Sequence, residues 1–226
     1  SFTLVNNNKF LIISFAPIWD LSYFFNYLFY NEKYKLKNLG GILACSSTSS
    51  ITKRFESNKF DKNLTIKLLN SEKNIMKIAK ELKISCQIIR PTMIYGLVNG
   101  VEDKNISKIL LIMRSLKFIP LPSNSGTRQP IHAIQLAKVV FSLMRKSLYD
   151  LNKSRSEFIN VGGDEILDYG IMIQKLKDSL SKKDKAKKCL VIKIPNRLFF
   201  ISILPVMFFS PKTFAALSRV CSDLSG

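Results

Sequence analysis

The sequence predicts an α/β fold, in which a parallel sheet with flanking helices is followed by a small, mostly helical region. Two observations lead to this prediction. Short apolar strands alternate with amphipathic helices over most of the chain, which is the order that parallel sheets require. The end of the chain instead combines helical patterns with a solvated lysine-rich run. We therefore divide the chain into residues 1–165 and 166–226.

The elements of the predicted sheet follow one another in a regular order. Lys9–Phe15 and Gly41–Ser46 are apolar enough to be buried strands, and the aromatic-rich segment Trp19–Tyr30 between them predicts a helix. Leu64–Leu82 has the apolar spacing of a long amphipathic helix. It leads into a short strand at Ser85–Ile89.

The elements that follow are less regular. Asp103 or Asn105 could cap a helix that ends near Leu116. The Pro- and Ser-rich loop IPLPSNSGTRQP precedes a helix at Ile134–Lys146, and the segment EFINVGG then predicts a short strand. A further amphipathic helix is expected near Tyr169–Leu180.

The longest apolar run is Leu198–Phe209. It is too short to span a bilayer, and Pro205 is expected to break it into a buried or interfacial pair of helices. Because the chain is also basic, peripheral membrane contact through residues 198–209 is one option for this run.

The predicted strand at Ser85–Ile89 ends abruptly in Arg90 and Pro91. A proline cannot donate a hydrogen bond to a sheet, so regular pairing should stop there. Arg90 then marks the carboxyl end of a strand, which is the edge where ligands bind in open α/β sheets. The simpler alternative is that Arg90 pairs with solvent or with a carboxylate.

The formal charge of +19 suits an anionic partner. The positive charges are scattered along the chain and no recognition motif accompanies them, so we expect no nucleic-acid partner. An anionic small molecule would suit the same surface.

The cysteine pattern indicates the compartment. Cys45, Cys86, Cys189 and Cys221 lack CxxC spacing and lie in mostly apolar segments, which favours reduced thiols in a cytoplasmic protein. Only one histidine is present, so we expect no metal site. The chain begins without methionine in an apolar strand, which suggests a fragment.

Four motifs in order carry a resemblance to a known family. ACSSTSS, QIIRPTMIYG, GTRQPIHA and FINVGG follow one another at spacings that resemble the extended short-chain dehydrogenase/reductases, the nucleotide-sugar epimerases and dehydratases. The resemblance covers nearly the whole chain. It implies a Rossmann-like sheet, NAD or NADP as cofactor, and a nucleotide-sugar or similar anionic substrate.

The resemblance also implies roles for individual residues. Thr48 occupies the place of the catalytic Ser or Thr; the alternative is that small hydroxyls here cap a loop. Arg128 resembles the arginine that grips the substrate diphosphate, and Tyr95 would border the sugar nucleotide. We interpret His132 as a structural histidine near the substrate rather than as a general base. The residues expected beside the cofactor are Ser14, Phe15, Ala16, Ser46, Ser47, Arg90, Pro91 and Thr92.

The chain departs from the family at the pyrophosphate site. None of its glycines forms G-x-x-G-x-x-G after a strand. If the chain is a fragment, this motif lies upstream; if it is complete, the protein cannot hold a dinucleotide in the family manner.

The second departure concerns the catalytic base. The family places a Tyr and a Lys one helical turn apart, so that the ammonium lowers the pKa of the phenol. With Glu72 taken as the later glutamate of that helix, Leu64 and Leu68 occupy these places; a shift by one turn gives Leu68 and Glu72 instead. Lys67 and Lys73 are the nearest candidates for a substitute base.

Three hypotheses follow. The chain is an active epimerase or dehydratase with an unconventional base; or a catalytically impaired relative that binds a dinucleotide, like the epimerase-like accessory subunit of respiratory complex I; or a non-enzymatic membrane-surface protein. A homodimer is a further option for its assembly.

Overall fold

The structure of the protein is a computed structural model that describes residues 2–6, 9–52, 59–149 and 155–224. The strands are β1 (Phe2–Asn6), β2 (Lys9–Ser14), β3 (Leu39–Cys45), β4 (Ser85–Pro91), β5 (Ile94–Tyr95), β6 (Leu97–Val98), β7 (Val101–Glu102), β8 (Phe118–Pro122), β9 (Thr127–Arg128), β10 (Ile131–His132), β11 (Ser156–Val161), β12 (Leu167–Asp168) and β13 (Leu190–Ile194).

The helices are α1 (Ile18–Asn31), α2 (Ser49–Thr52), α3 (Lys59–Leu82), α4 (Ile106–Ser115), α5 (Ala133–Tyr149), α6 (Tyr169–Ser179), α7 (Lys185–Lys188), α8 (Asn196–Phe209) and α9 (Pro211–Ser218). Short 3-10 turns lie at Lys33–Leu36 and Arg219–Cys221.

These elements form two compact units. Of the described residues, the first contains those up to 91 and those from 134 to 161, and the second contains those from 92 to 133 and from 162 to 224. This division differs from the sequence-based one at residue 165, because the segment 92–133 packs with the C-terminal elements. Met113 and Ile119 from this segment share one apolar cluster with Ile173 and Phe199.

The first unit is built on a sheet with the strand order β1-β2-β3-β4-β11. Strands β2, β3, β4 and β11 are parallel, which confirms the predicted α/β fold, while β1 adds an antiparallel edge strand that was not predicted. The expected neighbours are paired, since Cys45 lies opposite Ile89 and Ile88 lies opposite Phe158.

The core of the first unit lies between the sheet and two helices. Phe25 of α1 and Ile75 of α3 are fully buried with Ile88 of β4. Burial of each such side chain contributes about 1.5–3 kcal/mol. On β4 the alternate residue Gln87 accepts a hydrogen bond from Ser147 of α5 (3.0 Å). Strand β4 is therefore covered on both faces, as parallel strands usually are.

The second unit contains a parallel pair, β8 with β13, and short two-stranded pairs. Helix α4 of this unit is capped by the side chain of Asp103, which accepts hydrogen bonds from the backbone N–H groups of Asn105 (2.7 Å) and Ile106 (2.6 Å). Of the two predicted capping residues, Asp103 is thus the one whose side chain caps the helix.

The prediction that Pro205 breaks the apolar run is wrong. Helix α8 continues through Pro205, and the break falls at Ser210, after which α9 begins. Pro205 removes one hydrogen bond to the carbonyl of Ile201, and Ile201 lies on the exposed side of the helix, where water can replace the lost donor. Among the described residues, no helix is both long and apolar enough to cross a membrane.

Candidate functional site

The carboxyl ends of β2, β3 and β4 lie side by side in the first unit. Pairing continues just beyond β3, since the N–H of Ser46 donates to the carbonyl of Ile89 (2.7 Å) and that of Thr48 donates to the carbonyl of Pro91 (3.1 Å). These contacts place the serine cluster against the Arg-Pro junction. The edge predicted to bind ligands therefore brings together Ser46, Ser47, Thr48, Arg90 and Pro91.

The serine cluster is held mainly by its own hydrogen bonds. The buried hydroxyl of Thr48 donates to the Pro91 carbonyl (3.2 Å), and the Thr48 carbonyl accepts from the backbone N–H of Thr52 (2.9 Å). The hydroxyl of Ser47 accepts from the N–H of Ser49 (3.2 Å). Both residues thereby cap the start of helix α2. This is the capping role that the sequence offered as the alternative to catalysis.

The end of β2 is more open. Ser14 is buried and its hydroxyl accepts from the N–H of Ala16 (3.2 Å), while Phe15 and Ala16 are exposed. This turn presents an aromatic ring and free surface beside the serine cluster of the neighbouring strand.

Arg90 is not a solvent-facing strand end. Its guanidinium binds both carboxylate oxygens of Glu72 on α3, with Nε donating to Oε1 (3.1 Å) and Nη2 donating to Oε2. The Ser46 hydroxyl also donates to Glu72 Oε1 (2.5 Å), and the Arg90 guanidinium lies 4.0 Å from the ring centroid of Phe158. Glu72 is 0% exposed and Arg90 is 8% exposed.

The buried ion pair ties α3 to the end of β4. A bidentate arginine–carboxylate contact has a demanding geometry, so it fixes the position of α3 along its axis relative to Arg90. The buried stripe of this helix contains Thr65, Leu68, Glu72, Ile75 and Ala79. Asp61 and Ser71 of this helix are buried as well, so Glu72 is one of its two buried carboxylates.

Leu64 and Leu68 lie on the core side of α3. Leu68 is a buried member of the apolar cluster of the first unit, and Leu64 is partly buried against that cluster. The two lysines considered as substitutes, Lys67 and Lys73, are both exposed. Lys67 Nζ lies 4.0 Å from the ring centroid of Trp19 on α1.

The second unit brings together Tyr95 and His132. Strands β5 and β10 pair in parallel with His132 opposite Tyr95, and the two rings meet edge to face with centroids 5.2 Å apart. Gly96 has φ +124°, and a Cβ atom there would lie 2.5 Å from His132 Nε2. Only glycine fits beside this imidazole. Nearby, the Thr92 hydroxyl donates to the carbonyl of Gln129.

Arg128 is buried within the second unit. Its guanidinium donates to the carbonyls of Thr127 (2.7 Å), Ser222 (2.6 Å) and Arg219, and it lies 5.1 Å from the ring centroid of Tyr169. Burial lowers the pKa of Arg128 and raises that of Tyr169. In this arrangement the arginine joins β9 to the C-terminal turn.

Sequence reasoning used Glu72 only as an alignment marker and did not identify it as the partner of Arg90. The signal was present, because Glu72 is a charged residue on the same stripe as Leu68, Ile75 and Ala79. A carboxylate at such a position needs a buried cationic partner. In the described parts of the chain, no three His, Cys, Asp or Glu side chains are grouped closely enough to hold a metal ion.

Comparison with known proteins gives the same fold. No family model matches the chain. A curated relative is NADH dehydrogenase [ubiquinone] 1 alpha subcomplex subunit 9, mitochondrial, from Dictyostelium discoideum, which is 24% identical over 109 residues. That match covers 48% of this chain and 28% of the relative, so the chain spans less than a third of that protein.

Two solved bacterial structures are similar over more of the chain. UDP-N-acetylglucosamine 4-epimerase from Bacillus cereus has a TM-score of 0.55 at 15% identity, covering 92% of this chain and 74% of that one. dTDP-glucose 4,6-dehydratase from Bacillus anthracis has a TM-score of 0.53 at 12% identity, covering 81% and 60%. The chain therefore has the same Rossmann-like α/β fold as this epimerase and this dehydratase.

Proposed function

We propose that this chain is an atypical relative of the NAD-dependent nucleotide-sugar epimerases and dehydratases that binds a dinucleotide but lacks their standard base. The observation that carries the proposal is the Glu72–Arg90 ion pair. It supports the alignment in which Leu64 and Leu68 stand at the places of the Tyr and the Lys. Leucine side chains can pack against a ring but cannot move a proton, and loss of a general base lowers rates by about 10² to 10⁴.

The residues present fit part of a dinucleotide. The exposed turn at Phe15–Ala16 and the small hydroxyls of Ser46 and Ser47 lie at the strand edge where a nicotinamide is expected. When bound, NAD or NADP would supply hydride transfer. The pyrophosphate end needs a glycine-rich turn, and this chain has no such spacing. The similar Bacillus anthracis dehydratase was solved in complex with NAD, which supports this choice of cofactor.

A nucleotide-sugar or a similar anionic small molecule is the proposed ligand of the second unit. Tyr95 and His132, which lie together there, would contact this ligand, and Arg128 would grip its diphosphate. Thr48 is the proposed counterpart of the family's catalytic Ser or Thr. The accessory role is supported by the Dictyostelium relative, which is a subunit of NADH dehydrogenase by name.

The test uses the natural full-length polypeptide. Binding of NADH and NADPH is measured by fluorescence titration, and turnover is measured with UDP-glucose, UDP-N-acetylglucosamine and dTDP-glucose. We expect dinucleotide binding with turnover far below the usual enzyme range of about 1–10³ s⁻¹. Turnover within that range would refute the claim that the chain lacks a catalytic base. A complete lack of dinucleotide binding would refute the proposal as a whole.

A paired substitution sharpens this test. Leu64→Tyr with Leu68→Lys would restore the family residues, and a rise in turnover would support the alignment. Leu64→Phe with Leu68→Met is the matched control, since it changes the same positions without adding a titratable group. Equal, unchanged turnover in both variants, with folding intact, would count against the alignment.

We also propose a peripheral membrane contact through residues 198–209, because helix α8 exposes much apolar surface. Phe208 and Phe209 are 82% and 90% exposed, and Leu198, Ile201 and Leu204 are exposed as well. Co-sedimentation of the protein with anionic and with neutral vesicles tests this contact. Phe208→Ser with Phe209→Ser should abolish binding, whereas Phe141→Ser, on another exposed site, should not; binding that survives the first change would contradict this candidate.

Assembly and location remain proposals. A homodimer is tested by light scattering of the purified protein. Cys45, Cys86, Cys189 and Cys221 are free thiols, which suit the cytoplasm or another reducing compartment. Imaging of a tagged full-length protein decides this point.

A further inference from the structure

Helix α1 carries a row of exposed tyrosines. Tyr23, Tyr27 and Tyr30 follow one another at helical spacing, and Tyr34 continues the row in the adjoining 3-10 turn. These four side chains are between 56% and 72% exposed. The opposite face of α1 buries Phe25 and its neighbours in the core, so the tyrosines are not needed to hold the helix in place.

The neighbouring helix α3 carries exposed lysines. The two helices are neighbours, since the Asn74 side chain donates to the Ser22 hydroxyl (2.9 Å) and Lys67 lies over Trp19. The exposed lysines of α3 are Lys59, Lys62, Lys67, Lys73, Lys77 and Lys80, whereas Glu81 is the exposed carboxylate of that helix. We call these tyrosines and lysines together the Tyr–Lys face.

We propose that the Tyr–Lys face docks an acidic surface of a different protein. Tyrosine contributes large contact area at low entropic cost and is enriched among the residues that dominate binding energy at interfaces. The lysines indicate that the partner is negatively charged at this face. Complementary charges speed the encounter of two proteins and fix their relative orientation. The partner therefore presents carboxylates opposite α3 and an apolar or aromatic strip opposite α1.

A second copy of this chain fits less well. Each copy carries a formal charge of +19, and a two-fold contact through this face would oppose lysine-bearing helices. Tyrosine is also enriched at membrane interfaces, so a bilayer is the other occupant that the cross-linking test separates from a protein.

The test is site-specific photo-crosslinking of the full-length protein in its native cell. The change Tyr27→p-benzoylphenylalanine places the probe on the Tyr–Lys face, and mass spectrometry identifies what is joined to it. The control is the same replacement at Phe141, which is 57% exposed on α5 of the same unit, against 56% for Tyr27. We expect position 27, and not position 141, to join a different polypeptide at an Asp- and Glu-rich segment.

Three outcomes overturn the proposal: cross-links from position 27 to a second copy of the chain, cross-links to lipid alone, or cross-links to a polypeptide segment without excess negative charge. Failure to cross-link at position 27 also overturns it, provided that the variant unfolds at the same temperature as the parent.

Charge reversal gives an independent readout with the identified partner. Lys73→Glu with Lys77→Glu should weaken binding about tenfold or more, and raising the salt concentration should weaken the parent complex. The matched control is Lys182→Glu with Lys183→Glu, which makes the same change of net charge on the second unit. Equal effects of the two pairs would show a general charge effect and contradict docking at this face.

Discussion

Glu72 and Arg90 form a buried bidentate ion pair that joins helix α3 to the end of strand β4. We expect Glu72→Ala to lower the free energy of unfolding by about 3–5 kcal/mol, because it leaves a buried guanidinium without its carboxylate. Urea unfolding measures this loss. The double change Glu72→Leu with Arg90→Met should recover part of it, since it removes both charges.

The control for this prediction is the surface pair of Lys175 and Glu165, in which both side chains are more than half exposed. Glu165→Ala should change the free energy of unfolding by less than about 1 kcal/mol. Similar small effects of Glu72→Ala and Glu165→Ala would contradict a structural role for the buried pair.

Arg128→Lys is expected to destabilise the second unit. The substitution cannot reproduce a planar fork that reaches the carbonyls of Thr127, Arg219 and Ser222, and unpaired buried groups cost about 1–3 kcal/mol. Thermal unfolding followed by near-ultraviolet circular dichroism measures the effect, with Arg145→Lys on the exposed side of α5 as the control. If UDP affinity falls while stability stays unchanged, Arg128 instead grips a diphosphate.

Thr48→Ala should leave dinucleotide binding nearly unchanged. The lost hydrogen bond to the Pro91 carbonyl should lower the free energy of unfolding by about 0.5–1.5 kcal/mol. Thr52→Ala removes a comparable hydroxyl that donates to the Thr48 carbonyl and is the matched control. An increase of about tenfold or more in the NADH dissociation constant, seen only for Thr48→Ala, would place this hydroxyl against the cofactor.

Two buried thiols should make the protein less stable at high pH. Burial raises the pKa of Cys45 from 9.0 to about 11 and that of Cys86 from 9.0 to about 12. Above pH 9 the unfolded chain loses these protons while the folded chain keeps them. The contribution of the thiols to the free energy of unfolding is therefore complete below pH 9 and is lost as the pH rises toward 11–12.

The comparison of parent with Cys45→Ala and Cys86→Ala isolates this effect. The free energy of unfolding, measured with urea, should fall less steeply between pH 8 and pH 11 for the variants than for the parent. Identical slopes would mean that the thiols do not contribute. Iodoacetamide should also modify both cysteines slowly in the folded protein, because the thiolate is the reactive form.

The strands and helices of the sheet could be predicted from local pattern. Apolar runs at Lys9–Phe15 and Ser85–Ile89 and the helical spacing of Leu64–Leu82 specify element type, because burial follows the periodicity of each element. The antiparallel strand β1 and the continuous helix through Pro205 were not predicted. Strand β1 depends on its pairing with β2, and helix α8 continues through Pro205 because water can reach the unpaired carbonyl of Ile201.

The candidate site divides in the same way. The sequence by itself determined that a serine cluster and an Arg-Pro junction end two neighbouring strands, since parallel strands end at one edge of a sheet. It also determined that no Tyr–Lys pair precedes Glu72 at the family spacing. Only the tertiary structure decided that Glu72 pairs with Arg90 and that Arg128 bonds to main-chain carbonyls of the C-terminal turn. These partners are distant in sequence, and charge pairing has no local periodicity, so three-dimensional packing alone selects which groups meet.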